Sequence, residues 1–323
     1  MSRWFIAGGA GFIGSHFTDR LLGDSPTARV TIYDNFSSGR RWHYEHHVDD
    51  SRLRVVTADL NDSAALQDAI AGHDTVLHLA SNPDIARAVA DPDVDFREGT
   101  VLTRQIVEAM RATGVRRLLF ASGSGVYGDI GAVEGVEDRG PMVPISPYAA
   151  SKIAGEALIA AYCHLFEFRA CVFRFGNVVG PRQTHGVGFN FLRDLTANPQ
   201  SLSILGDGSQ SKSYIHIDDI VAAVLCAHDN AAGSFEAYNV ATGDYITLTE
   251  VARIAVETMG LDPAAVRFEY AGGDRGWKGD VPIVRLNTDR IRALGWTCAR
   301  TTEQALRDSM HALLADGRRG RLW

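Results

Sequence analysis

Apolar positions along the chain follow two rhythms in turn. Short apolar runs at 4–7, 29–33, 53–57, 74–79, 117–121 and 170–175 read as buried strands. Between them apolar residues recur at helical spacing, as in Phe12, Ile13, Phe17, Leu21 and Leu22, or Val101, Ile106, Val107 and Met110. Two long helices are predicted, over 100–112 and over the Ala-rich stretch 148–166. Strands separated by helices pair in parallel, because a parallel connection needs a crossover and a helix supplies it. The predicted fold class is therefore α/β, a Rossmann-type doubly wound parallel sheet. Beyond Phe175 the rhythm loosens into short elements and Gly-rich turns at 206–208 and 272–273. That change predicts a smaller C-terminal α+β lobe, made of 175–212 and 241–323. Residues 1–174 form the main domain, and 213–240 are expected to return to it.

The first strand breaks at glycines. Gly9, Gly11 and Gly14 fit G-x-G-x-x-G, while Gly8, Gly11 and Gly14 fit a G-x-x-G-x-x-G variant. Glycines there permit a tight turn, the approach of a pyrophosphate to backbone, and close helix–strand packing. The phosphates would sit at the following helix N-terminus, on the N–H groups of Phe12, Ile13 and Gly14. Asp34 closes the second strand twenty residues past Gly14, where a carboxylate can take the adenosine ribose hydroxyls. Neither Arg nor Lys follows it before Arg40, so a 2′-phosphate lacks a partner and the expected cofactor is NAD. Asp59, just past the third strand, is placed to cap or touch the adenine.

Composition narrows the partners. The chain has 323 residues, 46% of them hydrophobic, enough for one large domain and a smaller one. A net charge of −7 argues against nucleic acid, which wants a basic face. With neither an apolar leader nor a membrane-length apolar run, the expectation is a soluble, cytoplasmic protein with no membrane partner. Cys163, Cys171, Cys226 and Cys298 lack paired or metal-ligand spacing and read as reduced core residues. The polar stretch after Asp34 holds Trp42, His43, His46 and His47, with no carboxylate or cysteine spaced to complete a metal site. It reads as a solvated helix over the adenosine, and no metal is expected.

The sharpest catalytic signal is Tyr148-Ala-Ala-Ser-Lys152. Positions i and i+4 share a helix face, so an ammonium can stand beside a phenol. An unperturbed phenol has a pKa of about 10 and is a poor base at neutral pH. A neighbouring ammonium and a positively charged nicotinamide both favour the phenolate, which can then take a proton from an alcohol. The pair follows a Ser/Gly loop at a strand end (122–128), and ligands of open α/β sheets gather at carboxyl ends of strands.

Together these motifs resemble the extended short-chain dehydrogenase/reductase family. The residues that carry the resemblance are Gly8-x-x-Gly11-x-x-Gly14, Asp34-Asn-Phe-Ser-Ser-Gly39, Asp59-Leu60, Val126-Tyr-Gly128 and Tyr148-x-x-x-Lys152. Arg174 to Arg182, Gly206-Asp-Gly208, Tyr214 to Asp219 and Gly273 to Asp280 extend it over nearly the whole chain. The subgroup it resembles is the nucleotide-sugar 4-epimerases. The resemblance implies an NAD site lined by Asn35, Ser37, Ser38, Gly39, Leu60, Leu79, Ala80, Ser81, Ser122, Tyr148, Lys152 and Phe175. It implies a UDP-sugar substrate held by Ser124, Tyr148, Asn177, Gly188, Phe189, Asn190, Lys212, Tyr214 and Arg275. Phe189 to Phe191 would line the uracil, with Lys212 and Arg275 on phosphate. The implied activity is 4-epimerisation of a UDP-hexose of the UDP-glucose/UDP-galactose type, through a transient 4-keto sugar and NADH. Alternatives are a UDP-glucuronate or UDP-N-acetylglucosamine 4-epimerase, a nucleotide-sugar dehydratase, or a dinucleotide-binding protein without turnover. A dehydratase would need a carboxylic acid in the 122–124 loop, and none is there.

The chain departs from the subgroup at two positions. A Ser or Thr expected four residues before the Val-Tyr-Gly tyrosine is Gly123, flanked by Ser122 and Ser124, of which Ser124 is the preferred stand-in. An Asn expected near the start of the mid-domain helix is Gly99. The two long helices carry more apolar and Ala positions than one sheet face covers, and related enzymes pair them across a two-fold axis. A homodimer is therefore expected.

Overall fold

The computed structural model describes residues 2–322. Its chain divides into two compact units. One comprises residues 1–126, 146–174 and 224–238, and the other 127–145, 175–223 and 239–323.

The first unit is built on a seven-stranded sheet. Its strands include β1 (Arg3–Ala7), β2 (Arg29–Asp34), β3 (Leu53–Thr57), β4 (Thr75–His78), β5 (Arg117–Gly123) and β6 (Arg169–Phe175). The order across the sheet is Phe235–Val240, β6, β5, β4, β1, β2, β3. β1 pairs in parallel with β2 on one side (Phe5 opposite Thr31) and with β4 on the other (Phe5 opposite Val76). The order reverses between β1 and β4, the point at which doubly wound sheets take a ligand beyond their strand ends. The inner strands are buried on both faces, which explains their continuous apolar runs. β3 lies at the edge, and its exposed Arg54 discourages further strand pairing.

Helices α1 (Phe12–Asp24), α2 (Ser63–Ile70), α3 (Leu102–Thr113) and α4 (Pro147–Phe166) belong to this unit. The predicted stripe of α3 is buried, with Ile106, Val107 and Met110 packed among Leu66, Ile70, Val76, Phe120 and Ile159. α4 starts where its sequence says it should. Ser146 Oγ accepts from the Ala149 N–H at 3.2 Å, and Pro147 takes the first helical position, where no N–H is needed. Glu167, in the left-handed region at φ 58°, ends it.

The predicted helix 100–112 differs at its start. Residues Phe96–Val101 form a π-helical turn, and regular α-helix begins only at Leu102. Gly99 in that turn lies against α4: a Cβ placed there would stand 2.5 Å from Ser151 Oγ. Only a glycine lets this turn approach the helix that carries Tyr148 and Lys152 so closely. The stretch after Asp34 also differs from the expected solvated helix. It forms two short 3₁₀ turns, Arg41–His43 and Glu45–His47, and His43 is fully buried with its Nδ1 2.8 Å from the Ala10 carbonyl.

The second unit has its own core. Phe189, Leu192 and Leu195 of helix Val187–Ala197 pack with Val251 and Ala255 of helix Leu248–Thr258 and with Leu306, Met310 and Leu313 of helix Thr302–Arg318. Both latter helices open with reciprocal capping boxes, Thr247/Glu250 and Thr301/Gln304.

Candidate active site

The nucleotide turn fits an anion. Gly8 sits at φ 79°, and a Cβ on Gly14 would stand 2.6 Å from both the Gly8 carbonyl oxygen and the Gly9 Cα. α1 begins at Gly11 without a side-chain cap and without an acidic residue in its first turn. The Ser15 N–H makes the first intrahelical bond, to the Gly11 carbonyl. The Phe12, Ile13 and Gly14 N–H groups ahead of it are the free positive end of the helix.

Asp34 closes β2 and is buried. Its Oδ2 accepts from the Ala10 N–H at 3.0 Å, and its Oδ1 from the Phe36 N–H at 2.8 Å. Burial raises its pKa, and the two N–H bonds work against that shift. Each oxygen keeps a second lone pair for a ribose hydroxyl. The Gly39 Cα packs so close that a Cβ would meet Asp34 Oδ1 at 2.8 Å. Asn35 Nδ2 donates to Asp59 Oδ2 at 2.9 Å, and bonds from Asn61 and Asn35 hold the Asp59 carboxyl below its usual range. Leu60 is buried in the sheet core. These groups suit the adenosine end of NAD. Leu79 follows β4, and its N–H donates to the Ala7 carbonyl at 3.0 Å. The Ala80 backbone lies against Gly8, 2.9 Å from where a Cβ would be.

Tyr148 and Lys152 share a face of α4 as their spacing requires. Lys152 is buried, donates from Nζ to the Ala121 carbonyl at 2.9 Å, and sits 5.3 Å from the centre of the Tyr148 ring. The ammonium is thus fixed by the end of β5 and set beside the phenol. His78, which ends β4, is fully buried within reach of the same charge. Burial and then the Lys152 ammonium push its pKa down to about 3, so it is neutral at physiological pH. Its Nε2 lies 3.2 Å from Thr103 Oγ1, which itself donates to the Gly99 carbonyl at 2.9 Å. Sequence reading passed over His78; the signal was a polar residue within an otherwise apolar strand.

The two serines of the strand-end loop part company. Ser122 is buried, and its Oγ donates to Glu156 Oε1 at 2.5 Å. Glu156, one helical turn past Lys152, also takes a fork from Arg174: Nη2 to Oε2 at 2.7 Å and Nε to Oε1 at 3.1 Å. Both side chains of that ion pair are about 95% buried, at 4% and 5% exposure. Ser122 therefore faces into the sheet–helix layer. Ser124, in the 3₁₀ turn Ser124–Tyr127, stays partly exposed. At Gly123 a Cβ would meet nothing within 4 Å, so the space for a longer side chain is open. Sequence reading also missed Glu156 and Arg174; the i, i+4 spacing from Lys152 to Glu156 was the available signal.

In the second unit, the candidate cations already have carboxylate partners. Lys212 pairs with Asp280. Arg275 pairs with Asp129 at 3.2 Å and with Asp274 at 3.1 Å. Asn177 Nδ2 donates to the Ser213 carbonyl at 3.3 Å. Gly188, Phe189 and Tyr214 are buried, Phe189 and Tyr214 within the core of that unit, while Asn190 is exposed. Phe175 ends β6 and is buried.

Comparison with known proteins agrees with this geometry. The profile of the NAD dependent epimerase/dehydratase family matches residues 4–241. A UDP-glucose 4-epimerase from Mycolicibacterium smegmatis is 34% identical over 302 residues, covering 91% of this chain and 93% of that protein. The crystal structure of a UDP-galactose 4-epimerase superposes with a TM-score of 0.85 at 35% identity, covering 97% of this chain and 99% of that one. A dTDP-glucose 4,6-dehydratase from Streptomyces venezuelae, solved with NAD bound, gives a TM-score of 0.90 at 27% identity, covering 99% and 98%. No helix among the described residues is long and apolar enough to cross a membrane. With its Rossmann-type sheet, its glycine turn into α1 and a profile match over most of its length, the chain belongs to the NAD-dependent epimerase/dehydratase family of extended short-chain dehydrogenases/reductases.

Proposed function

We propose that this enzyme is an isomerase, an NAD-dependent 4-epimerase of a UDP-hexose of the UDP-glucose/UDP-galactose type. The observation that carries the reading is the Tyr148–Lys152 pair beside a loop that holds serine and glycine but no carboxylate. Tyr148 takes the proton of the sugar 4-hydroxyl and later returns it, the two halves of one general acid–base role. Lys152, anchored on the Ala121 carbonyl, places a fixed positive charge beside the phenol as it gains negative charge. Ser124 supplies a hydrogen bond to the sugar hydroxyl and keeps it in line with Tyr148. NAD, when bound, supplies the redox chemistry by taking the C4 hydrogen as hydride and giving it back. The Gly8–Gly14 turn, the α1 N-terminus and Asp34 would hold it.

The second reading is a 4,6-dehydratase, because a relative of that kind shares the fold. Expelling a 6-hydroxyl calls for an acid near the strand-end loop. The carboxylate bonded to that loop is Glu156, which is buried and committed to Arg174. The geometry favours epimerisation. Lys212 and Arg275 would hold the diphosphate by exchanging carboxylate partners for phosphate. A panel of UDP- and dTDP-sugars followed by product NMR tests the proposal. Interconversion of a 4-epimer pair is expected, and a 6-deoxy product would overturn it.

A further inference from the structure

The polar turn after β2 acquires a third partner that its sequence does not advertise. Asp19, on α1, stands 27 residues before His46 and 28 before His47. Its Oδ1 lies 2.7 Å from His46 Nε2 and 2.9 Å from His47 Nε2. The three atoms fall within 4.8 Å of one another. Consecutive residues of a 3₁₀ turn project about 120° apart, so two neighbouring imidazoles do not normally reach one point. Here they do, with ring centres 4.2 Å apart, because both bend towards a single carboxylate oxygen. The cluster lies at the surface, with the His46 side chain 50% exposed, Asp19 31% and His47 20%.

We propose that Asp19, His46 and His47 form a binding site for one divalent transition-metal ion, with Zn²⁺ the ion of best fit. Zn²⁺ takes imidazole nitrogen at about 2.0–2.1 Å and carboxylate oxygen at about 2.0–2.2 Å in tetrahedral array. Those radii set neighbouring ligand atoms about 3.3 Å apart. The two Asp19–His separations, 2.7 and 2.9 Å, fall about 0.4–0.6 Å short of that, and side-chain rotation can open them. Water at the exposed side completes the fourth position. Two imidazoles and one carboxylate favour zinc and its neighbours over Ca²⁺ or Mg²⁺, which prefer all-oxygen shells.

The ion would tie the middle of α1 to the turn that braces the nucleotide loop. In that turn the Arg40 N–H donates to the Ala10 carbonyl at 3.0 Å, and His43 touches the same oxygen. Binding therefore stabilises the folded chain. None of the three ligands belongs to the catalytic pair or the phosphate turn.

The test is calorimetric titration of ZnCl₂ into chelator-treated full-length protein, alongside Asp19→Asn, His46→Gln and His47→Gln. Wild type should take up one ion per chain, with a rise in melting temperature. Each variant should bind at least about tenfold more weakly, since losing a ligand costs no less than losing an outer-shell partner. In a parallel titration, Co²⁺ should give the intense visible bands of a tetrahedral ion, lost in His47→Gln. Equal Zn²⁺ binding by wild type and all three variants would overturn the proposal, and so would no uptake by wild type.

Discussion

Replacing Ser122 by Ala removes one hydroxyl from the strand-end loop and nothing else. That hydroxyl donates at 2.5 Å to the buried Glu156 carboxylate. A hydrogen bond to a charged group contributes about 1.5–3 kcal/mol net. Glu156 keeps its Arg174 fork in the variant, so the loss should not exceed that range. For a cooperative unit of this size, 1 kcal/mol moves the melting temperature by about 2–4 °C. Ser122→Ala should therefore melt roughly 3–12 °C lower while turning over at close to the wild-type rate. Ser124→Ala should show the opposite pattern. Its side chain is partly exposed, so stability should change by no more than about 0.5 kcal/mol. Turnover should fall about 2- to 13-fold, the equivalent of a 0.5–1.5 kcal/mol hydrogen bond to substrate. Scanning calorimetry and initial rates on both variants, each loaded with NAD, read the two effects separately. If Ser122→Ala slows turnover more than Ser124→Ala at unchanged melting temperature, the assignment of the two serines is wrong.

Further outcomes follow from other buried groups. Glu156→Leu removes one partner of a buried ion pair and should cost about 3–5 kcal/mol, measured by urea unfolding. His78 titrates near 3 in the fold and at an ordinary value when unfolded, so its neutral form contributes stability above pH 6.5 that is lost as pH falls towards 3. Wild type should lose up to about 1.4 kcal/mol per pH unit more than His78→Gln over that window, and parallel slopes would refute this. Burial lifts the thiols of Cys163 and Cys298 to about 11 and that of Cys171 to about 12, so native protein at pH 8 should resist alkylation there, as mass spectrometry can show. Cofactor-free protein should bind NAD⁺ at least about tenfold more tightly than NADP⁺ in calorimetry, because Asp34 opposes a 2′-phosphate. Light scattering should show a homodimer at micromolar concentration.

The sheet and the placing of Tyr148 beside Lys152 were legible because each rests on local periodicity. Strands announced themselves as apolar runs, and Tyr148 and Lys152 share a helix face whatever surrounds them. What the sequence hid depends on contacts far apart in the chain. The π-helical turn at Phe96–Val101 follows from how closely Gly99 meets Ser151, about fifty residues away. Ser122 and Ser124 are equivalent in one dimension, and only Glu156 and Arg174 decide which faces inward. His46 and His47 looked solvated because Asp19 lies a strand and a helix earlier.

The most direct test of the account uses substrate labelled with deuterium at C4 of the hexose. If Tyr148 moves only the hydroxyl proton while the C4 hydrogen leaves and returns within one bound site, the epimerised product carries deuterium at C4 and no NADH accumulates. The Tyr148→Phe variant should then retain NAD yet lose at least about 10²-fold in rate. Loss of the label to solvent, its appearance in a 6-deoxy product, or near-normal turnover by Tyr148→Phe would contradict the account.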